Sequence, residues 1–437
     1  MGVYFDRAAE TADREELTAR QSAGLVKTVR RAYGNVRYYR ERMDAAGVSP
    51  DDIKSIGDLH KLPFLCKDDL RDTYPYGLAA CKMEDAIRIH ASSGTTGKPV
   101  VALYTRGDVE RWAECAARCL VMSNAAKGDI IHISYGYGLF TGGLGLHYGT
   151  ERLGAVALPA SSGNTARQIT MLRDFGSSVI CCTPSYALYI GDVLAQTGVS
   201  KGELKLKSGI FGAEPWTDGM RLEIEKALRL EAFDIYGLTE ISGPGVSCEC
   251  GEHAGLHVNE DHFYPEIINP ETGEVLPEGE RGELVLSTIT KEGMPLLRYR
   301  TRDITSLNYE PCKCGRTLVR MERLSGRIDD MLIIRGVNVF PSQIESVLLQ
   351  IGGEIAPHYH IVADRAGKLD TLEVQVEMSE AFFSDEVRKI EALQNKIRAS
   401  LYSAININPI VTLVEPRALA RSEGKAKRVT DKRNLKG

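Results

Sequence analysis

The chain has 437 residues, 43% of them hydrophobic and 26% charged, which suits a large core divided between two domains. A formal net charge of −5 gives no reason to expect nucleic acid as a partner, and no apolar run reaches the roughly 20 residues that cross a membrane. Met1–Glu16 lacks the apolar stretch of a signal peptide, and Asp6 stands where a myristoylation pattern needs Ser or Thr. Ten cysteines without a secretion signal read as reduced thiols or metal ligands, and the expected location is the cytoplasm.

Residues 1–80 read as helical and connective, with apolar residues from Leu17 to Ala46 at mixed three- and four-residue spacing. From about residue 86 to 290, short β-branched runs alternate with helical stretches. Asp129–Ser134, Ser178–Cys182, Gly209–Phe211 and Glu283–Ser287 are predicted strands, and Asp108–Ser123, Thr165–Phe175 and Tyr186–Gln196 predicted helices. This alternation predicts layered α/β structure. Pro270–Gly282 reads as a hairpin-like turn. The character changes near Gly326–Asp330. Beyond it a small α+β unit is expected, with strands Met331–Ile334, Tyr359–Ala363, Leu372–Met378 and Val411–Glu415 and helices Ser342–Leu349 and Ser384–Leu401. The expected division is 1–326 and 327–437.

Within this frame, residues 92–98 stand out: Ser92, Ser93, Gly94, Thr95, Thr96, Gly97 and Lys98. The glycines allow tight turns and close approach, the hydroxyls donate, and the lysine adds charge, a combination suited to polyphosphate. It is not a Walker loop, because only two residues separate Gly94 from Gly97 and Pro99 follows the lysine. Four further segments stand out: Phe211–Trp216, Asp234–Glu240 and Gly326–Asp330 carry polar or charged residues beside glycines, and Arg298–Asp303 sets an acid among three arginines. The tail from 416 to 437 holds eight Lys or Arg against two acids, with Lys425 following Gly424.

These segments, in this order, resemble the adenylate-forming superfamily of acyl-CoA synthetases, and most closely its phenylacetate–CoA ligases. Tyr135–Gly143, Glu260–Ile267 and Asp330–Glu345 are similar to that family's signatures, and the likeness runs from about residue 20 to 433. It implies a large N-terminal α/β domain for ATP and acid and a small mobile C-terminal domain. The implied reaction has two steps: a carboxylate displaces pyrophosphate from ATP, and coenzyme A then displaces AMP. By the same resemblance, the Ser92–Lys98 loop holds the β- and γ-phosphates and Glu240, after Thr239, coordinates Mg²⁺. Tyr236 stacks on adenine beside Asp234 and Gly237, with Gly212, Ala213 and Glu214 lining the base. Asp303 accepts the ribose hydroxyls, and Arg327 reaches the ribose or phosphate side. Lys425 stabilises the charge of the adenylation step, and Asp329 is the hinge. A homodimer is implied as well. Taken without the resemblance, Asp303 could equally pair with Arg300 or Arg302, Tyr236 could be core, and Lys425 a solvated charge.

The acid pocket is expected from Tyr135, Tyr137 and Phe140 with Gly212 and Pro244, where aromatics interleaved with glycines leave room for a flat ring. A phenyl- or indolylacetic acid is the expected substrate. A carrier protein in place of coenzyme A, and a nucleotide sensor without catalysis, are the alternatives. Cys250, His257, Cys312 and Cys314 form a candidate structural Zn²⁺ set, with Cys248, His253 and His262 as competing ligands. Cys115, Cys119, Cys181 and Cys182 are expected in the core.

Overall fold

The structure, a computed structural model, describes residues 4–92, 98–199, 201–324, 326–327, 332–335, 337–366, 369–383, 387–421 and 428–433. A mixed nine-stranded sheet forms its centre, in the order Leu307–Asn308, Arg320–Met321, Leu256–Val258, Gly243–Glu249, Glu231–Leu238, Ser208–Gly212, Val179–Cys182, Ile130–Ile133 and Val156–Leu158. The last five strands run parallel to one another, and pairing turns antiparallel from Gly243–Glu249 outward.

Alternation along Val179–Cys182 explains the layers. Val179 and Cys181 join one core with Ile131, Ile133 and Ile210, while Ile180 and Cys182 join the opposite core with Phe211 and Ala232. A strand buried on both faces needs helices on both. Arg106–Met122 and Gly142–Leu153 contribute to the first core, and Thr165–Asp174, Pro184–Gln196 and Asp218–Leu228 to the second. Cys119, Cys181 and Cys182 are buried there, and Cys115 is buried in the adjoining core.

The helices start where the sequence supplies caps. The side chains of Thr105, Asn164, Thr183 and Thr217 accept backbone N–H groups of Asp108, Arg167, Tyr186 and Met220. Asp108 returns the bond to the Thr105 N–H at 3.0 Å, closing a capping box that begins its helix two residues before the expected position.

A second, antiparallel sheet runs Phe263–Ile268, Gly282–Thr288, Tyr299–Thr305, Gly326–Arg327. The expected turn before Gly282 is present, with a bridge between Ile268 and Val275. Helix Arg14–Asn35 buries Leu17, Gln21, Leu25, Thr28, Val29 and Ala32 at three- and four-residue spacing. Among the described residues, strands Ala86–Ala91 and Val101–Thr105 pair only with each other, Ala91 opposite Val101. Ser92 and Lys98 therefore lie beyond the end of this hairpin at which Ala91 faces Val101.

Gly326–Arg327 still pairs with Asp303–Ile304, whereas Leu332, Ile334 and Val339 belong to the C-terminal core. That core lies between helices Pro341–Ile351 and Val387–Ile405 and a four-stranded sheet ordered Ile410–Val414, Leu369–Met378, Ile355–Ala366, Val429–Asp431. The small unit meets the large one at a few places. Leu349 packs on the Pro184–Leu228 core, and a Cβ at Gly219 would stand 2.9 Å from its side chain. His358 Nε2 lies 3.0 Å from Asp192 Oδ2, and Arg428 reaches Met220 Sδ at 3.6 Å. Among the described residues no helix is long and apolar enough to cross a membrane.

The N-terminal segment is held by a buried ion pair. Arg316 Nε donates to Glu10 Oε2 at 2.7 Å, and Glu10 Oε1 accepts the N–H groups of Phe5 and Asp6 at 2.8 Å. Both side chains are excluded from solvent, so removing one partner strands a buried charge. Glu10→Ala is expected to cost about 3–5 kcal/mol in chemical denaturation, and a loss below about 1 kcal/mol would mean that the pair is solvated.

Candidate active site

The cleft opens where the parallel strands Ser208–Gly212 and Glu231–Leu238 end, the position at which open α/β sheets present ligand loops. One cavity there is lined by Ala213, Glu214, Asp234, Tyr236, Gly237 and Asp303, with Trp216 and Leu324 beside them. Six of the residues proposed from sequence thus share one wall. Ala213 holds φ at 70°, a left-handed conformation that is strained for a residue with a Cβ. Glu214 Oε1 accepts the Ser185 N–H at 2.7 Å and is thereby fixed at the start of a helix. Gly212 is buried at the end of its strand.

Asp303 belongs to the second sheet. Arg300 and Arg302 turn to Glu283, at 2.5 and 3.8 Å, and Asp303 Oδ2 accepts the Tyr236 hydroxyl at 2.7 Å. Tyr236 is buried, so its hydroxyl bridges the two sheets across the floor of the cleft. Thr239 and Glu240 follow the same strand. Thr239 is buried with its Oγ1 3.4 Å from Thr141 Oγ1, and Glu240 is half-buried.

Ser92 is fixed just beyond that end of the hairpin, exchanging bonds with Val100: its N–H reaches the Val100 carbonyl, and its Oγ accepts the Val100 N–H, each at 2.9 Å. Lys98 is exposed, its Nζ 5.8 Å from the centre of the Tyr74 ring. Ser93, Gly94, Thr95, Thr96, Gly97, Asp329 and Lys425 lie outside the described residues, as does the Arg327 side chain.

Of the expected acid-pocket residues, Tyr135 is buried and donates to the Cys182 carbonyl at 2.6 Å; it offers a ring face, not a free hydroxyl. Tyr137 is half-buried with its ring edge-on to His147 at 5.8 Å. Phe140 lies at the rim, 42% exposed. Pro244 packs near Gly145 and accepts the Trp112 Nε1–H at 2.7 Å.

Away from the cleft, Cys250, His257, Cys312 and Cys314 place their ligand atoms within 4.8 Å of one another. Cys250 and Cys312 sulfurs are 3.8 Å apart, and Cys314 Sγ is 3.4 Å from His257 Nε2. A tetrahedral zinc with bonds of about 2.3 Å separates its thiolates by about 3.8 Å, so the set has the dimensions of such a site. The competing candidates are engaged elsewhere: Cys248 with Ser123, His253 with Arg221 and Glu231, and His262 with Thr290.

Sequence reasoning missed the charges behind the Trp216 side of the cavity. Arg221 from a helix and Arg323 from the segment before the small unit flank the Trp216 ring, at 5.2 and 4.4 Å from its centre. Both reach Glu249, at 2.7 and 3.3 Å, and Arg323 Nε is 3.5 Å from Asp234. No local pattern marks these residues, which come from separate stretches of chain.

The mixed α/β layers and the cleft define an adenylate-forming enzyme. The family model described as AMP-binding enzyme matches residues 12–290, and that described as AMP-binding enzyme C-terminal domain matches 336–433. A phenylacetate–coenzyme A ligase of Thermus thermophilus is 50% identical, covering 99% of this chain and 100% of that protein. The chain belongs to the AMP-binding enzymes and, within them, to the phenylacetate–coenzyme A ligase family. A 2-hydroxyisobutyryl-CoA ligase in its postadenylation state superposes with a TM-score of 0.93 at 27% identity, covering 99% of this chain and 93% of that one. With coenzyme A in its thioesterification state it superposes with a TM-score of 0.73 at 28% identity, over 98% and 92%. The chain as a whole thus superposes more closely on the first of these two structures than on the second.

Burial, and then the Glu249 charge, push the Asp234 carboxyl up to about 7. Burial also acts on Glu249, but His253, Arg323 and Arg221 outweigh it and hold that carboxyl ionised. A carboxyl raised in the folded state favours folding below its unfolded value near 4, and that contribution is lost as pH rises through 7. Asp234→Asn should therefore gain stability relative to the parent between pH 4.5 and 7.5, at roughly 1.4 kcal/mol per unit of the shift. Denaturation midpoints at both pH values test this, and an equal difference at each would refute it.

Proposed function

We propose that the protein joins phenylacetate, or an aryl acid of similar size, to coenzyme A through an acyl-adenylate, releasing pyrophosphate and AMP. The observation that carries this reading is the single cavity shared by Ala213, Glu214, Asp234, Tyr236, Gly237 and Asp303, the residues that the adenylate-forming resemblance assigns to the nucleotide. Membership of the phenylacetate–coenzyme A ligase family supports the choice of acid. The buried Tyr135 ring and the half-buried Tyr137 support a flat aromatic guest.

In this reading ATP lies with its base against Ala213–Glu214 and Tyr236, and Asp303 accepts the ribose hydroxyls. The Tyr236 hydroxyl orients Asp303 before substrate arrives, which lowers the ordering cost of binding. Ser92–Lys98 surrounds the β- and γ-phosphates. Glu240, beside Thr239, would hold Mg²⁺, a hard cation that neutralises phosphate charge. A carboxylate oxygen of the acid attacks the α-phosphorus and the bond to pyrophosphate breaks. Lys425, supplied by a small domain spanning 327–437, bridges the carboxylate and the ribose–phosphate oxygens and offsets the developing charge. The small domain then turns about Asp329, with Arg327 on the ribose or phosphate side. The coenzyme A sulfur bonds to the acyl carbon, AMP leaves, and the thiol proton passes to solvent. Removing one element between the two steps lets a single pocket serve both. Zn²⁺ at Cys250, His257, Cys312 and Cys314 would tie the loop at Cys250 to the turn at Cys312. A cytoplasmic homodimer completes the reading.

Phenylacetate should drive ATP–pyrophosphate exchange and thioester formation, and Lys425→Ala should lower exchange by about a hundredfold or more. Faster exchange with octanoate would overturn the aryl pocket, and exchange without thioester would make a carrier protein the acceptor. Protein purified without added metal should hold close to one zinc per chain; less than about a tenth would remove the site.

A further inference from the structure

Lys291 is a lysine at 5% exposure, and among the described residues it forms no ion pair. Its Nζ donates to the carbonyl oxygens of Ile241 at 2.5 Å and Glu240 at 3.4 Å, and stands 4.4 Å from the centre of the Tyr104 ring. Burial pushes its ammonium down to about 8, against the opposing pull of Asp108 and Glu240. A charge so placed carries a desolvation cost that carbonyls and a ring face only partly offset. A neutral side chain would fill the space more cheaply, which directs attention to what the ammonium holds.

It holds the main chain that carries Glu240. Two other buried donors reach the same stretch from elsewhere: the Tyr104 hydroxyl lies 3.5 Å from the Thr239 carbonyl, and Trp112 Nε1 donates to Pro244. The Tyr104 and Trp112 rings stack 5.2 Å apart, so the three donors form one block beneath residues 239–244. The block is itself anchored. Both oxygens of the helix-capping Asp108 accept from the loop bearing Lys291, from Glu292 N at 2.7 Å and Gly293 N at 2.8 Å. A side chain at Gly293 would collide with the Leu103 carbonyl, 2.7 Å from its Cβ. The loop is pressed against the Val101–Thr105 strand, and the ammonium comes from a fixed base.

We infer that Lys291 is a positioning residue for adenylation: by binding the Glu240 and Ile241 carbonyls it fixes the direction in which the Glu240 carboxylate faces the magnesium–polyphosphate side of the cleft. This rests on the reading of Glu240 as the Mg²⁺ ligand. A side chain that only filled the core would affect stability and the amount of active enzyme. A positioning role instead changes how much Mg²⁺ ATP binding and the exchange reaction need.

The test measures, for the parent, Lys291→Met and Glu240→Gln, the free Mg²⁺ that half-saturates ATP binding in calorimetry without acid or pyrophosphate, and ATP–pyrophosphate exchange against free Mg²⁺. Lys291→Met is expected to raise the half-saturating Mg²⁺ by about tenfold, with less than about a threefold change in the exchange rate at saturating Mg²⁺. Lys291→Gln, which keeps an N–H donor on a shorter stem, should fall between parent and Met, and it decides the matter by the same two readouts if the Met variant does not fold. A higher requirement in Glu240→Gln together with an unchanged one in the Lys291 variants overturns the inference and leaves the Glu240 assignment intact. An unchanged requirement in Glu240→Gln overturns that assignment and the inference with it. A lower maximal rate at an unaltered requirement makes Lys291 structural only.

Discussion

The hydroxyl of Tyr236 and the carboxylate of Asp303 meet at 2.7 Å, and the cleft depends on that bond. Tyr236 comes from the central sheet and Asp303 from the antiparallel sheet, so the contact joins two layers that no strand pairing connects at this point. Around it the strand ends supply main chain on one side and acidic and hydroxyl groups on the other. A buried hydroxyl–carboxylate bond excludes water and tolerates little displacement. The two sheets, and with them the two sides of the cleft, are tied together there.

Much of this was legible because the chemistry is written in contiguous stretches. Ser92–Lys98, Asp234–Glu240 and Arg298–Asp303 each fall within seven residues, and the folding frame supplies only their mutual placement. The central strands were legible for a similar reason, since Val179–Cys182 and Ser208–Gly212 are short apolar runs bounded by polar turns. The helix at Thr165 was found at its start, whereas those at Arg106 and Pro184 were placed two residues late, because the capping Thr105 and Thr183 lie outside the apolar period. The hairpin beside the glycine loop escaped notice: Ala86–Ala91 alternates Ile87 and Ile89 with Arg88 and His90, and its isoleucines face solvent while His90 is buried. The support of the site was hidden as well. Trp216, Arg221, Glu249 and Arg323 are spread over more than a hundred residues, and Lys291 sits in a polar loop that resembles any surface turn. Their roles arise from burial, which no local pattern encodes. Cys250, His257, Cys312 and Cys314 lie between these cases, because the Cys312–Cys314 pair is a local signal while its partners are not.

The charged groups beside Trp216 and the lysine beneath Glu240 share one feature. In each, a costly buried charge is met by rigid aromatic surface: Trp216 against two guanidiniums, and Tyr104 beside an ammonium. At Trp216 the ring adds to the pairing of both guanidiniums with Glu249, whereas at Lys291 the ring and two carbonyls take the place of an ion pair.

The seam between the large and small units has a different character. Among the described residues it includes Leu349 against the bare backbone of Gly219, Asp192 between His358 and Arg421, and the reach of Arg428 to Met220. Contacts of this kind contribute on the order of 1 kcal/mol apiece, too little to commit the protein to one arrangement. Whatever occupies the cleft can then decide between arrangements, since a difference in ligand affinity of a few kcal/mol is enough to reverse such a balance. The order of events would be kept by the chemical state of the bound molecule, and the protein would need no separate clock.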